Sequence, residues 1–421
     1  MSGAAASQRV KDVICAIGRS GYMHRDLAAI KAGKARLDGS VYHGEPMSPG
    51  FRRIIEPATI ISVMLVLEDG QIAFGDCADV ILAGVAGRDP AFHGADHIDT
   101  VRGAVADALR GRDVAAFRTN AEEMDRLAPG GRRLHTAIRY GVSQALLHAT
   151  ALAGRVTMAE VIAREYGCTI ATAPIGILAS CHKDDPGQLD RVILKRVELL
   201  PHASFQIVAD HVGLQGEKLA AFVRRVATRI REIGDADYRP RIHVDLYGTL
   251  GELFSMAVEP LADYLGRLRQ ESGDFGLLVE SPMIAKTQDE QIAKFAALRA
   301  LLRAKGIDVG LIADEWCNTL EDIRRFAEAN ASDFVQIKTP DLGSIHNTIE
   351  AVLLCRKKGM GACLGGTANE TDHSTRISTH IGLACQPDFM LSKPGLGADE
   401  ALMIQTNEMA RTLAILQTRN R

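Results

Sequence analysis

The sequence predicts an α/β protein, with a (β/α)8-like TIM barrel over residues 166–421 and a smaller α+β unit over residues 1–165. Three observations predict it. From about Ala171 onward, eight short apolar runs alternate with amphipathic stretches. Before that point, strand-like segments come first and helical ones follow. Three consecutive runs of the second portion also break into a carboxylate at the C-terminal end, where parallel sheets gather their chemistry.

The first portion opens with MSGAAASQRV, which has no secretory apolar region and reads as a frayed extension. Thr59–Leu67 reads as a strand, Glu68-Asp69-Gly70 as a turn and Gln71–Gly75 as the hairpin partner. Helical patterns follow at Ala95–Leu109, Val114–Leu127 and Leu134–Ala153. In the last, Leu134, Ile138, Val142, Ala145, Leu146 and Ala149 recur at helical spacing, and Gly154 offers a stop. The rhythm changes at about residues 160–170, where the boundary belongs. No low-complexity linker intervenes, so the two units should pack together.

The eight strand candidates are ATAPIGIL (171–178), ASFQIV (203–208), RIHVDLYG (241–248), FGLLVES (275–281), VGLIADE (309–315), DFVQIK (333–338), GACLGG (361–366) and PDFMLS (387–392). Glu217–Arg231, Asp289–Lys305 and Ser344–Lys358 are amphipathic segments between them, and a C-terminal helix closes the chain. A flat doubly wound sheet is the alternative, but no Gly-x-Gly-x-x-Gly follows the first strand.

Composition narrows the function. A chain of 421 residues is too long for one ordinary core. Its net charge of −3 gives no reason to expect nucleic acid or an acidic membrane surface as a partner. Ile60–Leu67 is the longest strand-like apolar run and is far too short to span a bilayer. The 8 cysteines form no Cys-x-x-Cys pair and have no zinc-like spacing to histidine, so free thiols in a reducing cytoplasm are expected. Cys317 and Cys363 fall near the suspected site, where packing is the simpler role for each.

Asp245, Glu280 and Asp314 end three successive strands at nearly one βα unit of separation. In a barrel they would project into one mouth. Three hard oxygen ligands suit Mg²⁺ or Mn²⁺ rather than zinc, and a cation relieves their mutual repulsion. Any one of them alone is more often a capping or salt-bridging acid. Lys338 ends the next strand, with Gln336 two residues earlier on the same face. A nearby dication favours the neutral amine, which is a competent base; pairing with one of the acids is the plainer role. His202 precedes or opens the second barrel strand, and a lone histidine is usually structural. Residues 365–370 (GGTANE) could bring backbone N–H groups close to an anion, or simply turn the chain.

These residues resemble the methylaspartate ammonia-lyase family of the enolase superfamily, over nearly the whole chain. The resemblance is carried by RRLHTAIRYG (132–141), VTMAEVI (156–162), GEKL (216–219), DLYGT (245–249), DEWCNT (314–319), VQIKTPDLG (335–343), KGMGA (358–362), GGTANET (365–371) and KPGLGADE (393–400). It implies an enolase-like protein in which the α+β unit caps the barrel, usually dimeric and cytoplasmic. The implied reaction is elimination of ammonia from a small acidic amino acid, 3-methylaspartate, to give mesaconate, with Mg²⁺ and a monovalent cation such as K⁺. By the same resemblance Asp245, Glu280 and Asp314 bind Mg²⁺, Lys338 removes the C3 proton and His202 is the base on the opposite face. Gln336, Thr367 and Leu391 then belong to the substrate-binding set.

Two positions of that set depart from the family. Counting back from Ile193-Leu194-Lys195, the glutamine expected after the first barrel strand falls at Ser180, and the cysteine expected after Thr367 is Ala368. Proton abstraction is preserved while contacts to the rest of the substrate change. The expectation is therefore a lyase acting on 3-methylaspartate or a close analogue. A racemase or dehydratase of the same superfamily, or a non-catalytic metal-stabilised binding protein, are the alternatives.

Overall fold

The computed structural model describes residues 8–39 and 41–419. The first seven residues of the predicted frayed extension lie outside them. The rest of that extension is not frayed, because Val10 opens a 16-residue strand, β1 (Val10–Arg25). Sequence reading missed it: only Val10, Val13, Cys15 and His24 are buried, too irregular a pattern to stand out. Two short strands follow, β2 (Arg36–Asp38) and β3 (Val41–His43), then β4 (Ile55–Leu67) and β5 (Ile72–Cys77). β4 and β5 form the predicted hairpin, and β4 lies between β1 and β5 in an antiparallel three-stranded sheet.

The helix Thr136–Gly154 packs against β5. Glycine permits the close approach, since a Cβ on Gly75 would lie 2.0 Å from the Gly141 carbonyl oxygen. The helix ends at Gly154, where the stop is expected, and Arg155 turns the chain in the left-handed region at φ 52°. The predicted helix over 95–109 is continuous but contains a π-turn at Val101–Val105.

The second portion is a closed parallel barrel, which excludes the flat-sheet alternative. Its strands are β6 (Ile177–Leu178), β7 (Leu199–Ser204), β8 (Arg241–Asp245), β9 (Leu277–Glu280), β10 (Val309–Ala313), β11 (Phe334–Ile337), β12 (Gly361–Leu364) and β13 (Phe389–Leu391). β13 closes onto β6. The interior holds Leu178, Leu199, Leu278, Ile312, Cys363 and Phe389, with Phe334 packed against them. Arg241 covers the N-terminal end, its guanidinium carbon 5.9 Å and 5.4 Å from the ring centroids of Phe334 and Phe389.

One predicted strand is misplaced. ASFQIV was to be the second barrel strand, but the chain pairs earlier, at Leu199–Ser204. Proline and histidine in LLPHAS disguise a strand, and pairing tolerates them by a register shift between Pro201 and Ala203. His202 occupies that irregularity with φ 47°. All eight cysteines are free thiols, and Cys317 and Cys363 are packed in the core. Among the described residues no single helix is long and apolar enough to cross a membrane.

Candidate active site

Strand register puts the acids at the barrel mouth. Asp245 pairs with Glu280 across β8 and β9, and Glu280 is level with Ile312 in β10. Asp314, two residues past Ile312, is therefore on the same face one step further out. Gln336 and Lys338 follow in the same way on β11. Ser180, His202, Asp245, Glu280, Gln336 and Lys338 line one cavity, together with Thr367, Ala368 and Leu391. Asp314 stands against it through Lys338, whose Nζ donates to Asp314 Oδ2 at 2.6 Å. The structure thus brings all ten residues singled out in the sequence to one place. A larger groove, lined by Cys181, Lys183 and Arg225 among others, lies outside the barrel mouth and holds none of them.

Burial dominates the electrostatics. Asp245 is 2% exposed, and its carboxyl is pushed well above the usual range by burial and by the charges of Glu280 and Asp314. Asp314 is pushed up to about 7 by burial, despite the pull of Lys338. Glu280 goes the other way. Burial would raise it, but His202 and His243 outweigh that and hold it ionised. Its Oε2 takes Nε2–H of Gln336 at 3.0 Å and faces Nε2 of His243 at 3.0 Å and of His202 at 3.6 Å. Burial would also strip Lys338 of its proton, but Asp314 holds it above the ordinary lysine range.

Several participants were not singled out in the sequence. Arg88, from the α+β unit, is buried among three acids. It lies 2.9 Å from Glu315, 2.8 Å from Asp341 and 3.9 Å from Asp314. No motif marks it. His243 was legible in principle, because it precedes Asp245 by two residues and shares its inward face. Beyond β12, Lys393 Nζ pairs with Glu370 at 2.9 Å, and Glu370 also accepts from the Tyr140 hydroxyl. Gly366 is required there: a Cβ would lie 2.1 Å from Glu370 and 2.5 Å from Lys393.

The acids fit a divalent cation. Among the described residues Asp314 Oδ1 is buried with no hydrogen-bond partner, and the Asp245 carboxylate accepts only from the Tyr247 N–H, at 3.4 Å. Crowded, undersatisfied carboxylates of this kind suit a hard ion. His202, His243 and Glu280 offer a second grouping, with ligand atoms within 4.8 Å of one another. Its contacts to Glu280 all fall on Oε2, leaving Oε1 outside that set.

Fold and site together define the class, a barrel enzyme of the enolase-superfamily kind, with strand-end acids beside a lysine. Muconate lactonizing enzyme from Pseudomonas fluorescens shares the fold at a TM-score of 0.62 and 15% identity. Residues 8–167 match the family profile "Methylaspartate ammonia-lyase N-terminus", and residues 169–418 match "Methylaspartate ammonia-lyase C-terminus". Methylaspartate ammonia-lyase 2 of Carboxydothermus hydrogenoformans is 45% identical, over 98% of this chain and 99% of the relative. The Mg complex of β-methylaspartase from Clostridium tetanomorphum superposes with a TM-score of 0.91 at 42% identity, over 98% of this chain and 100% of that one. The Citrobacter amalonaticus enzyme containing (2S,3S)-3-methylaspartic acid does so at 0.94 and 42%, over 97% and 100%. The chain belongs to the methylaspartate ammonia-lyase family of carbon–nitrogen lyases.

Proposed function

We propose that this protein eliminates ammonia from 3-methylaspartate, or a close analogue, to give mesaconate, with Mg²⁺ held by Asp245, Glu280 and Asp314. The observation that carries the reading is the meeting of Lys338 and Asp314 at 2.6 Å, beside Asp245 and Glu280 in one cavity. The Mg complex of the C. tetanomorphum enzyme supports the choice of ion. A proton beside a carboxylate is very weakly acidic, and a dication bound to that carboxylate supplies the charge that makes its removal feasible.

Lys338 takes the C3 proton as a neutral amine. Asp314, which otherwise holds it protonated, is one of the three acids that would hold the ion. His202 faces Glu280 from β7 and serves the opposite face of the substrate. Gln336, fixed by its bond to Glu280, orients the substrate with Thr367 and Leu391, while Ser180 and Ala368 leave its far side less tightly held. The chain works as an α+β cap over residues 1–165 on a barrel over residues 166–421. A cytoplasmic homodimer using a monovalent cation such as K⁺, with no nucleic-acid or membrane partner, completes the proposal.

Ammonia release, measured over a panel of acidic amino acids with both C3 diastereomers, tests the reading. Release from 3-methylaspartate or an analogue, with mesaconate-type product, is the expected outcome. Proton exchange at carbon without ammonia release would make the protein a racemase instead, and no turnover across the panel would favour a binding protein. His202→Ala should depress turnover of the erythro diastereomer more than the threo; equal losses would assign His202 to positioning.

A further inference from the structure

An acidic amino acid carries two carboxylates, and the site described so far assigns a charge partner to only one. Asp245 and Glu280 end β8 and β9 and Asp314 directly follows β10, and these three strands are consecutive around the barrel. The opposite side of the mouth is built by the ends of β12 and β13. Thr367 and Ala368 there carry no charge. Lys393 is neutralised by Glu370, Lys338 by Asp314 and Arg88 by Glu315 and Asp341.

Arg25 is different. It ends β1 and lines the same cavity as Lys338, Thr367 and Ala368. Among the described residues no carboxylate lies within ion-pairing distance of it, and its Nε is buried without a hydrogen-bond partner. The guanidinium is nevertheless held. Nη2 donates to the Tyr22 hydroxyl at 2.5 Å, and the guanidinium carbon lies 5.3 Å from the Tyr22 ring centroid. Its backbone is tied to the Thr367 side of the mouth: Arg25 N–H donates to Ile81 O at 2.9 Å, and Ile81 N–H donates to Thr367 Oγ1 at 3.2 Å. A propped planar fork with an open donor is suited to a carboxylate. Gly21, on the same strand, approaches so closely that a Cβ would lie 2.7 Å from Ala368 O, which keeps this wall in register with the barrel.

We propose that Arg25 is a specificity-determining residue that binds the substrate carboxylate remote from the three acids, the one on the carbon bearing the amine. The inference rests on the lyase reading for which carboxylate faces which wall. The enzyme then discriminates dicarboxylic amino acids from those amidated at that carboxylate, by a charge supplied from the α+β unit rather than from the barrel.

The test is calorimetric binding of methylsuccinate, a dicarboxylate with no amine to eliminate, to wild type, Arg25→Met and Arg25→Lys in the presence of Mg²⁺. The same titration with its two monoamides is the control. Arg25→Met should weaken methylsuccinate binding about 10- to 100-fold, the usual loss of a hydrogen bond to a charged group. Arg25→Lys should recover part of it, and one monoamide should bind wild type and Arg25→Met alike. Equal methylsuccinate affinity in wild type and Arg25→Met, equal losses for all three ligands, or no binding to wild type would overturn the proposal. Ammonia release measured in parallel separates the two readings. Arg25-dependent binding without turnover of any amino acid sinks the lyase reading alone. Turnover of the best substrate with KM unchanged in Arg25→Met sinks the Arg25 proposal alone.

Discussion

Lys338 Nζ lies 2.6 Å from Asp314 Oδ2, so the end of β11 places an amine directly against the acid that ends β10. Both side chains are buried. That proximity makes the lysine's protonation depend on what else Asp314 binds, and it would couple the proposed base to the proposed ion site through one contact.

Lys338→Ala should cost about 10²–10⁴-fold in kcat, the usual worth of a general base. Thermal stability without the ion should fall, because Asp314 loses its buried charge partner, while Mg²⁺ should bind at least as tightly, because the ammonium no longer competes for that carboxylate. Turnover within a few-fold of wild type would give the role of base to another residue.

Asp245→Asn removes one charge from the acid cluster, and Mg²⁺ affinity should fall more than about tenfold, because ligand charge sets the affinity of oxygen sites. Titration calorimetry measures it directly. The same titration on His243→Gln should give near-wild-type affinity. The reverse result, loss in His243→Gln but not in Asp245→Asn, would move the ion to the His202–His243–Glu280 grouping.

Ser180 and Ala368 line the cavity where the family resemblance expects a glutamine and a cysteine. Serine cannot span the gap that glutamine spans, and alanine opens space beside Thr367. A lost substrate hydrogen bond in a buried site costs about 1–3 kcal/mol, which is tenfold or more in preference. Wild type should therefore accept bulkier groups on C3 or nitrogen, and Ser180→Gln with Ala368→Cys should shift preference toward 3-methylaspartate. The ratio of kcat/KM for 3-methylaspartate to that for bulkier analogues decides. A strong wild-type preference for 3-methylaspartate that the double variant leaves unchanged would make both departures neutral.

Glu408, on the C-terminal helix Asp399–Arg419, pairs with Arg376 at 2.8 Å and His380 at 3.1 Å on the helix Asp372–Cys385. Burial would raise its carboxyl, but His380 and Arg376 together bring it down to about 2. The sign follows from linkage. A carboxyl depressed in the folded state adds stability above the unfolded value, and loses it as pH falls from there through about 2. Glu408→Gln should thus lose about 1–3 kcal/mol near pH 7. The gap in melting temperature between wild type and variant should narrow as pH falls below about 4. A gap that stays constant between neutral and acid pH would show that packing, not charge, holds the two helices.

The alternation of apolar runs and amphipathic stretches after Ala171, with acids at 245, 280 and 314 and a lysine at 338, was enough to read a barrel and its chemical end. Strand periodicity is local, and a strand end declares itself where an apolar run meets a charge. β1 escaped because only Val10, Val13, Cys15 and His24 of its 16 residues are buried, at spacings that follow no strand period. β7 was placed too late because Pro201 and His202 break a pattern that only its neighbour strands restore. Arg88 and Arg25 carry no mark in the chain at all. Each reaches the site only through the packing of the first portion of the chain against the barrel, and such long-range packing is encoded in no local run of residues. What the sequence determined was therefore the barrel, the acids at its mouth and the lysine beside them. What tertiary structure alone decided was which charges from the first unit those groups would meet, one neutralised by buried acids and one left open to the cavity.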